Sequence, residues 1–344
     1  MAIESFPSQE ALAAALNSKA LYLVVLPTEQ CNFRCVYCYQ DFAVGRMSSS
    51  VVSGIKRLID RRMESLRYFH LAWFGGEPLI AKDIVFEVSE HAQRRSREHG
   101  VEFLEGEVTT NGYLLTPATM GRLSAANQKH FHISLDGLGA IHDATRPLIS
   151  GKGSFGRIWH NLIGLRKSDH DFHVVLRLHF GAAPLVDTET LCRRINQEFG
   201  GDPRFSVHLK SIENYGGENG GRIAPMSRQD ASETGKRLSA ELADLTISGR
   251  DGDADRHICY AAQPNNLLIR ADGRVGKCAV ALKDPRNTIG RIDEEGRLRI
   301  DNARLQPWMG GYRDLDVDLL SCPYTGVSKT PMPARPSIPI RLAS

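Results

Sequence analysis

The chain reads as an α/β protein, a partial TIM-like (β/α)6 barrel followed by a small β-rich C-terminal domain. Three observations predict it. Apolar runs of strand character alternate with longer helix-patterned segments up to about residue 250, the rhythm of βα units around a parallel sheet. Beyond that point the pattern changes to short strand-like runs separated by turns. At 344 residues the chain is long enough for one barrel of roughly 200 to 250 residues with a smaller unit appended.

Taken in order, residues 1–20 form an N-terminal extension and residues 21–249 the barrel. Strands are expected at 21–27, 69–74, 106–110, 130–135, 173–180 and 205–212, and helices at 50–65, 83–98, 116–126, 154–168, 188–199 and 227–248. Six units are two fewer than a closed barrel needs, so the sheet should stay open. In the second domain, 250–322, Asp272-Gly273 stands between two strand-like runs, the strongest short hairpin signal. Residues 289–300 repeat the theme around Glu295-Gly296. The tail, 323–344, carries Pro331, Pro333, Pro336 and Pro339 and should be extended. The glycine-rich stretch 214–221 after the sixth strand reads either as the border of a substrate groove or as a flexible connector.

Charge and composition exclude several classes. With 43 basic and 40 acidic residues the net charge is +3, which predicts no nucleic-acid partner, and Arg61-Arg62 and Arg94-Arg95 read as solvated helix faces. The apolar part of 11–16 is too short for a secretory signal and follows no basic residue. No stretch approaches membrane-spanning length. Seven cysteines, an odd number without a signal, point to reduced thiols and a cytoplasmic location.

Directly after the first strand comes Cys31-Asn-Phe-Arg-Cys35-Val-Tyr-Cys38, a C-x3-C-x2-C spacing. Three thiolates suit an iron–sulfur cluster, and a four-iron cubane held by three leaves one iron open for reaction. Structural zinc sites pair their cysteines and add a second pair or histidines at a distance. Here the next histidine is His70, on an expected strand, and a zinc knuckle or chance thiol group is the competing reading. Gly75-Gly-Glu-Pro78 follows the second strand, Thr110-Asn-Gly112 the third, and Ser134-Leu-Asp-Gly137 closes the fourth. Each alone could be a turn. Because barrel chemistry sits at the carboxyl ends of strands, the four together define one composite mouth.

These residues resemble the radical S-adenosylmethionine (SAM) enzymes, in the branch with a SPASM or twitch C-terminal extension that includes peptide-modifying enzymes and sulfatase maturases. The likeness runs by motif over residues 20–150 and again over 259–278. It implies that Cys31, Cys35 and Cys38 hold a 4Fe-4S cluster whose open iron binds SAM. It also implies that Gly75 and Gly76 approach the SAM amino group with Glu77 as an acceptor, and that Tyr37 lies beside the adenine with Asn111 adding polar contacts. Ser134 and, twelve residues on, Arg146 match the family's SAM-binding serine and arginine, and an arginine fork suits a carboxylate.

Cys259, Gly273 and Cys278 resemble the opening of a SPASM or twitch domain, and only Cys322 remains to join them. At most one auxiliary iron–sulfur cluster on Cys259, Cys278 and Cys322 is therefore expected; buried apolar thiols are the alternative. Cys192 reads as core. Arg177 on the fifth strand is left unassigned between the barrel mouth and an ordinary strand position.

The activity implied is formation of a 5′-deoxyadenosyl radical and oxidative modification, a cross-link, of a ribosomally made precursor peptide. A flavodoxin- or ferredoxin-type protein would supply the electron. Only about twenty residues precede the first strand, so leader recognition would fall to the second domain or to a separate leader-binding protein, unless the substrate is not a peptide. Three alternatives stand beside this: a twitch-type small-molecule dehydrogenase, a formylglycine-type sulfatase maturase, and a non-catalytic iron–sulfur or zinc protein. The maturases carry a base, an aspartate, just after the cysteine matching Cys278; this chain has Ala279 there, which disfavours formylglycine formation.

Overall fold

The computed structural model describes residues 7–181, 184–215, 224–248 and 257–329. After a first helix, α1 (Gln9–Ala15), strand β1 (Ala20–Val25) leads through α2 (Ser49–Met63) to β2 (Tyr68–Trp73) and α3 (Lys82–His99). A two-residue β3 (Glu102–Phe103) pairs with β2. There follow β4 (Gly106–Thr110), α4 (Pro117–Ala125), β5 (Gln128–Leu135), α5 (Ala140–Thr145), α6 (Phe155–Arg166), β6 (His173–Phe180), α7 (Leu185–Phe199), β7 (Phe205–Ser211) and α8 (Arg228–Ala240). Strands β1, β2, β4, β5, β6 and β7 pair in that order, all parallel. The six expected barrel strands are all present, with ends within two residues of the sequence reading.

Two elements depart from expectation. The last barrel helix stops at Ala240 rather than running to 248, because Thr246–Ser248 forms β8 on the free edge of β7. A β-branched pair, Thr246 and Ile247, suits an edge strand better than a helix end. The short α5 was not expected; it fills the stretch between Ser134-Leu-Asp-Gly137 and Arg146.

The β-rich unit consists of β9 (Asn266–Ile269), β10 (Arg274–Gly276), β11 (Gly290–Ile292) and β12 (Leu298–Ile300), paired antiparallel in sequence. Gly273 takes φ +81° in the first hairpin turn, where a side chain would be strained. Strand β9 runs parallel to β1, Tyr22 opposite Asn266 and Val25 opposite Ile269. Both hairpins thus extend the barrel sheet from its β1 edge. Residues 216–223 of the glycine-rich loop, 249–256 at the expected boundary and 330–344 of the proline-bearing tail lie outside the described residues.

Alternation along the strands decides which side chains reach the interior. On β6, Val174, Leu176, Leu178 and Phe180 are buried, while His173, Val175, Arg177 and His179 point the other way. On β5, Phe131, Ile133 and Leu135 are buried against His130, His132 and Ser134. Strands of a parallel sheet buried on both faces read as continuous apolar runs; these alternate because the inner face lines an open, polar barrel. Among the described residues no helix is long and apolar enough to cross a membrane.

Candidate active site

The three cysteines sit on a loop bound to its neighbours by backbone hydrogen bonds. Arg34 N donates to Pro147 O at 2.9 Å, Val36 N to Thr145 O at 2.9 Å, and Cys38 N to Cys35 O at 3.2 Å. Phe33 is buried and forms an isolated bridge with Leu148. The loop is therefore laid along the segment 145–148, which contains Arg146.

The glycine pair is needed for packing beneath this loop. Gly75 has φ +128°, and a Cβ there would stand 2.3 Å from Thr28 O; at Gly76 it would stand 2.3 Å from Gln30 O. Gly75 O accepts from Gln40 Nε2 at 2.9 Å. Glu77 is fully buried and does not line the cavity described below. Its carboxylate accepts from Leu79 N at 2.9 Å, Thr110 Oγ1 at 2.8 Å and Asn111 N at 2.7 Å, so it pins the second and third strand ends together. Asn111 Nδ2 donates to Asn32 Oδ1 at 2.8 Å and lies 4.0 Å from Cys31 Sγ.

Tyr37 joins a buried polar network. Its hydroxyl donates to Asp136 at 2.8–2.9 Å and accepts from Arg146 Nη1 at 2.7 Å. Thr145 Oγ1 donates to Asp136 Oδ2 at 2.8 Å, and His179 Nδ1 lies 3.3 Å from Oδ1. Burial opposes ionisation of Asp136, yet the His179 hydrogen bond and the nearby Arg146 charge hold its carboxyl well below the usual range. Arg146 keeps one buried donor, Nε, without a partner.

Of this network Tyr37, Arg146 and His179 line a cavity of about 360 Å³. Cys31, Cys35, Cys38, Tyr37, Gly75, Gly76, Asn111, Ser134 and Arg146 all border it, which brings together every residue expected at the first site except Glu77. Burial pushes the Cys31 thiol up to about 12 and Cys35 to about 11, with Arg146 pulling Cys35 back. The donor set fits an iron–sulfur cluster: three thiols, with a buried guanidinium donor free beside them. Among the described residues no three Cys, His, Asp or Glu side chains gather closely enough for a single metal ion; a cubane spreads its thiolates over separate irons.

Part of the lining comes from the C-terminal unit. Tyr260 and Ala279, each directly after a cysteine of the second set, line the same cavity. Ala279 N donates to Tyr260 Oη at 2.8 Å, and Tyr39 Oη donates to Ala279 O at 3.3 Å. Burial raises the Cys259 thiol, and Cys278 and Cys322 add to the rise, which puts the three within electrostatic reach of one another. Asn287 braces Cys278 by accepting from Lys277 N and Cys278 N and donating to Cys278 O, all within 3.0 Å. Lys277 is wholly buried; its ammonium is held by the carbonyls of Gln263 and Asn266, and burial brings its pKa down to about 7. Cys192 is core, as expected.

Sequence reasoning missed Asp136, His179, Asn287 and the Glu29–Arg270 ion pair. Asp136 was in view as part of Ser134-Leu-Asp-Gly137, but nothing local tied it to Tyr37.

Residues 25–181 match the Radical SAM superfamily, and the chain carries a radical SAM domain over that span. Among curated proteins it is similar to the serine-type anaerobic sulfatase-maturating enzyme of Klebsiella pneumoniae, 24% identical over 318 residues, 88% of this chain and 79% of that one. Among solved structures it is similar to anSMEcpe with bound AdoMet, 17% identical with a TM-score of 0.62 over 84% of each chain. It is also similar to Streptococcus suis SuiB bound to the precursor peptide SuiA, 14% identical with a TM-score of 0.62 over 91% of this chain and 72% of that one. The two structural likenesses define the fold.

Proposed function

We propose that the chain is a radical SAM enzyme that oxidatively modifies a peptide, with one 4Fe-4S cluster on Cys31, Cys35 and Cys38 and an auxiliary cluster on Cys259, Cys278 and Cys322. One observation carries the reading: Cys31, Cys35 and Cys38 border a cavity that is also bordered by Tyr260 and Ala279, the residues directly after Cys259 and Cys278. The first cluster, when bound, supplies reductive cleavage of SAM and with it abstraction of a hydrogen atom. The protein's own residues orient and enclose. Arg146, held by the Tyr37 hydroxyl that itself donates to Asp136, offers its unpartnered Nε to the SAM carboxylate beside Ser134. Tyr39, Tyr215 and Tyr260 set aromatic surface along the same cavity.

Support for a peptide substrate comes from SuiB, whose structure was solved with a precursor peptide. An electron donor of the flavodoxin or ferredoxin type and a separate leader-binding protein belong to the same proposal. A second reading, a formylglycine-type maturase, is favoured by the similarity to the Klebsiella pneumoniae enzyme along 88% of the chain.

The anaerobically reconstituted chain, given dithionite and SAM, is expected to release 5′-deoxyadenosine, and a Cys31/Cys35/Cys38 triple alanine variant to release none. No 5′-deoxyadenosine from the wild type ends the proposal. Peptides encoded beside the gene are then compared with a sulfatase-derived peptide by mass: loss of a hydrogen pair with a new linkage supports cross-linking, and an aldehyde supports the maturase.

A further inference from the structure

The cavity holds a cation that the first cysteine site does not use. Arg177 lies on β6 between Ser134 of β5 and His208 of β7, half-buried on the inner face of the sheet, and borders the cavity. Among the described residues its guanidinium has neither an ion pair nor a hydrogen-bond partner. Its neighbours are otherwise engaged. Lys210 pairs with Glu213, Arg146 binds Tyr37, and Asp136 is taken up by Tyr37, Thr145 and His179. A half-buried guanidinium has lost hydration without a counter-charge to offset it, and its fork fits a carboxylate with two parallel hydrogen bonds. Beside it Tyr39 and Tyr215 pack edge to face, ring centres 5.9 Å apart, and the charge of Arg177 acts on both phenols. Cation and aromatic rings thus border the same cavity.

We infer that Arg177 anchors a carboxylate of the substrate, carried by an acidic side chain or by a C-terminus, against the Tyr39–Tyr215 pair. This rests on the peptide reading above and narrows it to acidic or C-terminal segments. Arg177 thus sets substrate choice, while Arg146 serves SAM.

The test is binding to the reconstituted holoprotein saturated with SAM, followed by tyrosine fluorescence and ligand-observed NMR. Three probes are used: N-acetylglutamate N-methylamide, N-acetylglutamine with its free carboxylate, and N-acetylglutamine N-methylamide with neither. One carboxylate probe is expected to bind about tenfold or more tightly than the neutral one, as loss of a charge-assisted pair predicts, and which one identifies the source. Arg177→Gln should erase the preference and Arg177→Lys should keep part of it. Equal binding of all three probes, no binding, an unchanged preference in Arg177→Gln, or displacement of the probe by SAM overturns the assignment. A chain that forms no 5′-deoxyadenosine defeats the function above; one that forms it and binds the probes alike defeats this inference alone.

Discussion

Arg270→Met gives the sharpest test of how the second unit is fastened to the cysteine loop. Glu29 stands two residues before Cys31, and Arg270 lies in the turn between β9 and β10. They form a bidentate pair, Nε to Oε1 at 2.9 Å and Nη2 to Oε2 at 2.5 Å, with side chains only 7% and 4% exposed. At an effective dielectric of about 20 and a separation of about 3 Å the attraction is roughly 5 kcal/mol, comparable to the cost of desolvating both ions. The intact pair therefore contributes little net stability over a well-packed apolar pair. Removing one partner strands the other, at about 3–5 kcal/mol. Urea unfolding of the metal-free chain should show that loss in Arg270→Met and in Glu29→Gln, whereas the double Glu29→Met/Arg270→Met variant should return to within about 1 kcal/mol of wild type. Single variants each costing under about 1 kcal/mol, or a double variant costing the sum of the singles, would refute the reasoning.

Iron analysis of the two triple alanine variants should separate the clusters: Cys31/Cys35/Cys38 loses about four irons and keeps those of the second set, while Cys259/Cys278/Cys322 does the converse. Retention of no iron in the first variant removes the auxiliary cluster. Asp136→Asn takes away a buried charge that accepts from Tyr37 and Thr145, at about 2 kcal/mol of stability and an expected fall in SAM affinity by calorimetry. Because the Asp136 carboxyl is held below its ordinary value, its contribution is present above the unfolded value of about 4 and is lost as the pH falls below it. The stability gap between wild type and variant should accordingly close in acid. In the metal-free chain at pH ~8, Cys31 and Cys35, pushed up to about 12 and about 11 by burial, should react with iodoacetamide far more slowly than exposed Cys322. Equal rates by mass spectrometry would count against the burial described.

What the sequence made legible follows from how local each signal is. Strand periodicity and the Asp272-Gly273 and Glu295-Gly296 turns act over a few residues, so the six parallel strands and both hairpins could be placed. The pairing of β9 with β1 joins residues some 240 positions apart in the chain and leaves no local mark. The same limit hid Asp136, whose partners Tyr37 and His179 lie 99 and 43 residues away. Gly75 and Gly76 were placed at the site, but the reason for glycine is contact with the carbonyls of Thr28 and Gln30, which no spacing rule carries. A helix is expected over 227–248, but the open edge of β7 takes its last residues into the sheet.

Ala279 places a definite demand on the maturase reading. Its backbone is held by Tyr260 and Tyr39, and an alanine at the cavity's border offers no group to take a proton. Among the described residues Glu213 is the one carboxylate that borders the cavity. Burial opposes its ionisation, but hydrogen bonds to Lys210 and Tyr215 hold its carboxyl below the ordinary range, which makes it a weak base. His179 is better suited: burial lowers its pKa, so the ring is neutral near pH 7. With Nδ1 donating to ionised Asp136, Nε2 is left as the acceptor. If this chain makes an aldehyde, His179→Gln should slow its formation by about 10²-fold or more while Glu213→Gln should not. The hydrogen-atom step needs no base, so 5′-deoxyadenosine should still form in His179→Gln. Aldehyde formation that survives His179→Gln but not Glu213→Gln would move the proton to the carboxylate and show that its pairing with Lys210 breaks when substrate binds.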